Sequence, residues 1–281
     1  MGPTDNVQRN PAPEAPSILS KAFDILRAFD SANRVMTLSE IARASGLPKS
    51  TVHRLLGRLV ELDVVEHHGP AEYKIGLSML RIGAVSPAVS LRDQAVPALH
   101  ALNRWTGYAV QLAVLRQFDV VFLDKLEGVG HPSPPIAIGA RVPAHCVAVG
   151  KALLAHEELD DLALFLPSRL SALTERSQTS ATEFVRALRE VRRDGIALEV
   201  EEYHLGFSGL GAAIIVNGYA VGALSVAFPS DAPAEPNTSR AVRETAAALA
   251  RDLRLGLTPD RLRWMSGLAQ RWPGSAATTG E

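Results

Sequence analysis

Residues 37–75 constrain the fold of this chain more than any other stretch, because they read in order as a capped helix, a glycine stop, a second helix and a short charged hairpin. Thr37-Leu38-Ser39-Glu40 sets a hydroxyl three residues ahead of a carboxylate, so each side chain satisfies an otherwise unpaired amide at a helix start. Leu38, Ile41 and Ala42 recur at helical spacing and give residues 37–45 one apolar face. Gly46 then supplies the left-handed backbone that ends the helix without a Cβ penalty. Pro48 suits the first turn of the next helix, whose inward stripe is Val52, Leu55, Leu56 and Leu59. Two short β-rich runs, 64–67 and 72–75, flank the turn His68-Gly69-Pro70-Ala71. This order predicts a winged helix-turn-helix.

The outward side of the second helix carries Lys49, Ser50, Thr51, His53, Arg54 and Arg58. Between Arg34 and Arg58 five basic residues stand against the single acid Glu40, an excess suited to phosphate contact. Residues near the start of a recognition helix reach base edges, so Lys49, Ser50, Thr51, His53 and Arg54 are the expected DNA readers. Arg58, Lys74 and the wing residues His67 and His68 are expected to hold phosphate or the minor groove, and Thr37 is counted with the DNA-facing set. The other reading is an amphipathic three-helix unit that packs on a partner. Charge does not separate the two, since residues 1–90 carry ten Lys and Arg against nine Asp and Glu.

The segment 45–56, Ser-Gly-Leu-Pro-Lys-Ser-Thr-Val-His-Arg-Leu-Leu, resembles the recognition segment of the IclR family of bacterial transcriptional regulators. The likeness continues through 107–114, 121–128, 145–155 and 195–206, the last with Glu201-Glu202-Tyr203, and covers roughly residues 17–256 in the family's order. It implies a GAF-like effector domain behind the DNA-binding unit. It also implies homodimers joined through the DNA-binding units, often homotetramers, on double-stranded DNA with an imperfectly palindromic operator.

The pattern of elements agrees with that implication. Ile18, Ala22, Ile25, Leu26 and Phe29 form a helical stripe ahead of the capping box. Residues 76–85, with Leu77, Leu80 and Ile82, read as a linker helix stopped near Pro87, and a longer amphipathic helix opens from Ser90 with Leu91, Val96, Leu99, Leu102 and Trp105 inward. Residues 110–114 and 120–123 read as a β-hairpin, and Asn217-Gly218 is a strong cue for a second one between 211–216 and 220–228. Helices are expected over 148–155, 181–194 and 238–255, so the fold class is α+β with an antiparallel sheet. The expected organisation is a disordered tail over 1–16, the winged unit over 17–76, the linker over 77–89 and the GAF-like domain over 90–257. An extension over 258–281 follows, with a possible helix within 260–272.

Residues 145–155 begin polar and continue as a helix of small side chains, whose first amides and dipole favour a bound anion. The alternative is that Gly150 and Ala152 only permit close packing. The family resemblance implies that this end holds the effector's carboxylate, at the amides of Ala148 and Val149 beside His145 and Cys146. It also implies an acidic ligand contact at Glu199, which otherwise reads as a strand-edge acid facing water. Gly209 stands where several relatives carry a cysteine, which removes a thiol contact and adds space. With Ile136, Ile138 and Val142 as an apolar wall, the expected effector is a small organic acid, aromatic or ring-containing.

Other classes are disfavoured. A single cysteine excludes an internal disulfide, and eight scattered histidines lack helical ligand spacing, so no metal and no cofactor is expected. No apolar run is long enough for a membrane span and the first residues lack a signal-peptide core, which predicts a cytoplasmic protein without membrane contact. His145 and Cys146 are neighbours, and neighbours seldom align as nucleophile and base, so a non-enzyme is expected. Two alternatives remain: a DNA-binding protein whose second domain only oligomerises, and a small-molecule enzyme using Cys146.

Overall fold

The structure, a computed structural model, describes residues 17–256 apart from 31, 232 and 233. The tail expected over 1–16 and the helix expected within 260–272 lie outside the described residues. The chain divides into two compact units, one ending at Ala84 and the other beginning at Val85.

The first unit runs α1 (Ile18–Arg27), β1 (Val35–Thr37), α2 (Leu38–Ser45), α3 (Lys49–Glu61), β2 (Val65–His67), β3 (Glu72–Ile75) and α4 (Ser78–Ala84). The cap of α2 forms as its residues dictate. Thr37 Oγ1 accepts from the Glu40 amide at 3.4 Å, and Glu40 Oε2 accepts from the Thr37 amide at 2.8 Å. Gly46 closes the helix at φ +68°. Pro48 caps α3 from outside rather than lying in its first turn, and its carbonyl accepts from the Val52 amide at 3.0 Å. Val52, Leu55, Leu56 and Leu59 are buried against Ile25, Met36, Ile41 and Val65, which is the core of this unit. The sheet has the antiparallel order β1-β3-β2, so the wing hairpin gains a third strand, β1, that sequence pattern alone did not announce.

Apolar side chains at two places in this unit face outward. Of the five expected stripe residues Ile25 is fully buried and Ala22, Leu26 and Phe29 pack on the same core, while Ile18 is exposed together with Leu19 and Phe23. Helix α4 has no buried residue, and Leu80 and Ile82, with Leu77 just before it, stand in solvent.

The second unit runs α5 (Pro87–Thr106), β4 (Ala109–Arg116), β5 (Asp119–Leu126), β6 (Arg141–Pro143), α6 (Ala148–Leu154), α7 (Leu159–Phe165), α8 (Ala181–Asp194), β7 (Ala197–Val200), β8 (Phe207–Val216), β9 (Tyr219–Pro229) and α9 (Thr238–Gly256). The linker helix ends at Ala84, before Pro87, as expected, while α5 opens at Pro87, behind an extended Ser86, ahead of the expected start at Ser90. Trp105 of the expected inward stripe is exposed. Asn103 turns inward instead and donates to the carbonyls of Tyr108 at 2.8 Å and Glu127 at 2.9 Å.

The six strands form one antiparallel sheet in the order β6-β5-β4-β9-β8-β7. The β8–β9 turn places Asn217 and Gly218 at positive φ, 52° and 82°, the geometry an Asn-Gly hairpin prefers. Alternation along β4 divides the burial. Val110, Leu112 and Val114 pack with α5 and α9, while Ala113 and Leu115 pack with α6, α7 and α8. The fold class is therefore α+β: a winged helix-turn-helix unit, a short linker helix, and a GAF-like antiparallel sheet covered by helices on both faces.

Candidate functional site

Burying Val52, Leu55, Leu56 and Leu59 leaves the opposite side of α3 to solvent, where Lys49, Ser50, His53 and Arg54 are exposed and Thr51 is half-buried. No side-chain cap occupies the helix start. Arg58 is exposed and ion-paired with Glu61 at 2.7 Å, and Lys74 pairs with Glu66 at 3.3 Å across the wing. His67 lies 4.8 Å from the Tyr73 ring, and His68 is exposed at the wing tip. Thr37 differs from the rest. Its hydroxyl donates to Glu40 Oε2 at 2.8 Å and its amide donates to the same oxygen, so its donors are spent within the helix cap, while phosphate oxygens need donors.

In the second unit the strand register assembles a narrow cleft on the α6 face of the sheet. Glu199 pairs with Gly209 and Gly209 with Ala227; one row on, Gly211 pairs with Ser225 and Ser225 with Gln111. Residues two apart share a face, so both rows look toward α6. The two glycines of β8 leave the sheet surface bare there. A Cβ on Gly211 would stand 2.7 Å from the Ala148 carbonyl carbon, so the first turn of α6 rests directly on the strand. The cleft is lined by Gln111, Pro134, Ile136, Val147, Ala148, Glu199, Tyr203, Phe207, Gly209, Ser225 and Ala227. Its volume, ≈ 10 Å³, is roughly that of one water molecule.

Three polar side chains give the cleft its chemistry. Glu199 is buried, and its Oε1 accepts from the amides of Glu202 at 3.1 Å and Tyr203 at 3.3 Å. Burial pushes its pKa up to about 7, reinforced by the Glu202 carboxylate and opposed by the two amides and Lys151. Gln111 is also buried, and its Oε1 accepts from Ser225 Oγ at 3.0 Å. Its Nε2 has no hydrogen-bond partner. Behind Glu199, Lys151 of α6 ion-pairs with Glu202 and donates to the Leu198 carbonyl at 3.0 Å. Lys125 donates to the Pro134 carbonyl at 2.8 Å, which ties the Pro134–Ile136 wall to β5.

The expected ligand residues are therefore only partly brought together. Ala148, Glu199, Gly209 and Ile136 line the cleft. Val149, expected through its amide, follows Ala148 in the first turn of α6, with its side chain in the core. Val142 lies in that same core on the edge strand β6, and Ile138 is 59% exposed two residues beyond the wall. His145 and Cys146 belong to the 3-10 turn before α6, whose side chains point elsewhere: His145 Nε2 donates to the Ser171 carbonyl at 2.7 Å and its ring meets Phe184 edge-on. Cys146 is fully buried, with its thiol pushed up to about 11 by burial, which makes it a poor nucleophile at neutral pH. Gly150 serves packing, since a Cβ there would stand 2.0 Å from the Ala144 carbonyl oxygen. Gln111, Ser225, Tyr203 and Phe207 were missed. The signal available was Gln111 and Ser225 as polar members of otherwise apolar strands.

Among the described residues no group of three or more His, Cys, Asp and Glu side chains is placed to hold a metal ion, and no helix is long and apolar enough to cross a membrane.

Comparison with known proteins matches both units. The family model described as the IclR helix-turn-helix domain matches residues 18–69, and that of the bacterial transcriptional regulator IclR C-terminal matches residues 84–254. The HTH-type transcriptional regulator BhcR of Paracoccus denitrificans is 31% identical over 256 residues, which cover 86% of this chain and 87% of that protein. The HTH-type transcriptional regulator KdgR of Escherichia coli is 28% identical over 229 residues, 80% of this chain and 87% of that protein. Among solved structures, an IclR homolog from Microbacterium hydrocarbonoxydans complexed with 4-hydroxybenzoate superposes with a TM-score of 0.74 at 27% identity, covering 85% of this chain and 100% of that one.

Proposed function

Because the chain belongs to the IclR family of bacterial transcriptional regulators, we propose that its operator binding is controlled by a small carboxylic acid held in the cleft beneath the first turn of α6. The observation that carries this reading is the cleft itself: a helix start laid on a glycine-bared strand, with a buried carboxyl and a buried amide on the same sheet face. The first amides of α6 lack partners within the helix, and such amides favour an anionic group. Apolar surface from Ile136, Phe207 and Ala227 suits the carbon skeleton of an acid. The 4-hydroxybenzoate complex of the Microbacterium relative supports a ring-containing acid for this chain as well.

The cleft's volume of ≈ 10 Å³ is too small for such an acid, so binding has to widen it. That requirement suits a sensor. A ligand shifts a conformational equilibrium only through unequal affinity for the two states, and a cleft that must open supplies the inequality.

On the DNA side, Lys49, Ser50, Thr51, His53 and Arg54 read bases, and Arg58, Lys74, His67 and His68 hold the backbone. The exposed apolar residues of α1 and α4 form the contact between two copies, which sets a palindromic operator with half-sites about one helical turn apart. The regulated genes are those handling the sensed acid.

Fluorescence anisotropy of labelled DNA from the region upstream of the gene, titrated with the protein in the presence and absence of a panel of acids, tests the reading. A single acid should shift operator affinity and raise the melting temperature together, as linkage requires. DNA binding that no acid alters would leave a second domain that only oligomerises.

A further inference from the structure

Gln111 is the buried group that the reading above leaves unused. Its side chain lies on β4, flanked by the fully buried Val110 and Leu112, in a strand where every other residue from Ala109 to Leu115 is apolar. A buried amide nitrogen without a partner forfeits the desolvation cost of a donor, which makes such an atom rare in a settled core. Among the described residues only one other buried side-chain atom shares this condition, Glu202 Oε2. That atom belongs to a carboxylate already neutralised by Lys151.

The Gln111 amide is turned with its oxygen toward Ser225. Ser225 stands directly across the strand pair and its hydroxyl donates to Gln111 Oε1 at 3.0 Å, so the carbonyl end is engaged and Nε2 is left to the cleft that Gln111 lines. The other polar wall of that cleft is Glu199, three strands away on the same face, which shares it with the apolar Ile136, Phe207 and Ala227. The molecule that fills this space therefore meets an amide donor at a point separate from the start of α6.

We propose that Gln111 is the specificity-determining residue of the cleft, its Nε2 donating to an oxygen acceptor that the bound acid carries in addition to its carboxylate, an oxo or hydroxyl group. This rests on the effector reading and extends it: the ligand class is an oxygen-substituted carboxylic acid, and the unsubstituted acid of the same shape is rejected. Rejection follows because an acid with a methyl group at that point keeps Nε2 buried and unpaired.

Calorimetric titration of the full-length protein with hydroxybenzoates and formylbenzoates, each against the methylbenzoate substituted at the same ring position, and with pyruvate against propionate, tests the proposal. At least one oxygen-bearing acid should bind the wild type about tenfold or more tighter than its counterpart. The formyl and oxo acids are decisive because their extra oxygen only accepts. Gln111→Met, which keeps length without a donor, should erase the preference by weakening the oxygen-bearing acid alone; Gln111→Leu should do the same, and the melting curve of each variant reports that it folds. A preference that survives both substitutions, or acids that bind the wild type without regard to the extra oxygen, overturns the role of Gln111 and leaves the effector reading standing. Operator binding that persists while no acid binds the wild type at all overturns both.

Discussion

Replacing Glu199 with Gln removes a buried ionisation while keeping an oxygen in place for the Glu202 and Tyr203 amides. In the folded chain, burial raises the Glu199 pKa from 4.5 to about 7. The unfolded chain releases this proton near 4.5, so between the two values the folded state holds more protons than the unfolded state, and stability falls as pH rises. At about 1.4 kcal/mol per pH unit, the climb from 4.5 to about 7 costs about 3 kcal/mol, fully absent well below pH 4.5 and fully present above pH 7. Urea unfolding of wild type and Glu199→Gln, followed by circular dichroism at intervals from about pH 5 to pH 8, measures it. The quantity to plot is the stability of the wild type minus that of the variant, in which the other titrating groups cancel. It should decline by roughly 2–3 kcal/mol across that range, with Glu199→Gln gaining on the wild type as the solution becomes more basic. Parallel stability profiles would refute the argument, because they would mean that Glu199 ionises in the fold as easily as in water.

Three further outcomes are expected. Gly150→Ala should destabilise the second unit by about 3 kcal/mol in the same unfolding assay, since the added Cβ meets the Ala144 carbonyl oxygen and overpacking costs about 1–3 kcal/mol or somewhat more; a neutral result would show that α6 lifts freely from the 3-10 turn. Thr37→Ala should lower the stability of the winged unit by about 1 kcal/mol through loss of the cap, and Thr37→Ser should restore it. Arg54→Ala should weaken operator binding by roughly 1–3 kcal/mol and relax sequence preference at one base pair, whereas an equal loss on every duplex would assign Arg54 to the phosphates.

The winged unit was readable because its signals are local. The Thr37–Glu40 cap, the Gly46 stop and the 52-55-56-59 stripe each involve residues within one or two turns of one another, and all three appear as expected. What was less legible there depends on partners: Ala22, Ile25, Leu26 and Phe29 of the expected stripe turn inward, but Ile18 stays exposed beside Leu19 and Phe23. In the second unit the hairpins were legible from turn chemistry and β-rich runs. The cleft was less so, because it is a product of register between β7, β8, β9 and β4, whose paired residues Gln111 and Ser225 are 114 apart in the chain. Glu199 and Gly209 were found through resemblance to relatives, while Gln111 became visible only once Ser225 was set opposite it. His145 and Cys146 stood next to the right helix, but the 3-10 turn that carries them aims their side chains at Ser171, Phe184 and Ser177.

Backbone resting on backbone leaves little to adjust. At Gly211 and Gly150 the helix α6 touches β8 and the 3-10 turn through main-chain atoms, with no side chain between them to swing aside or change rotamer. One jaw of the cleft is therefore stiff. The opposite jaw, the proline-bordered stretch Pro134-Pro135-Ile136, is held instead through side chains, by Lys125 at one carbonyl and by Tyr203, whose hydroxyl reaches the Pro135 carbonyl at 3.4 Å. On the effector reading proposed above, any widening of the cleft begins at those two tethers.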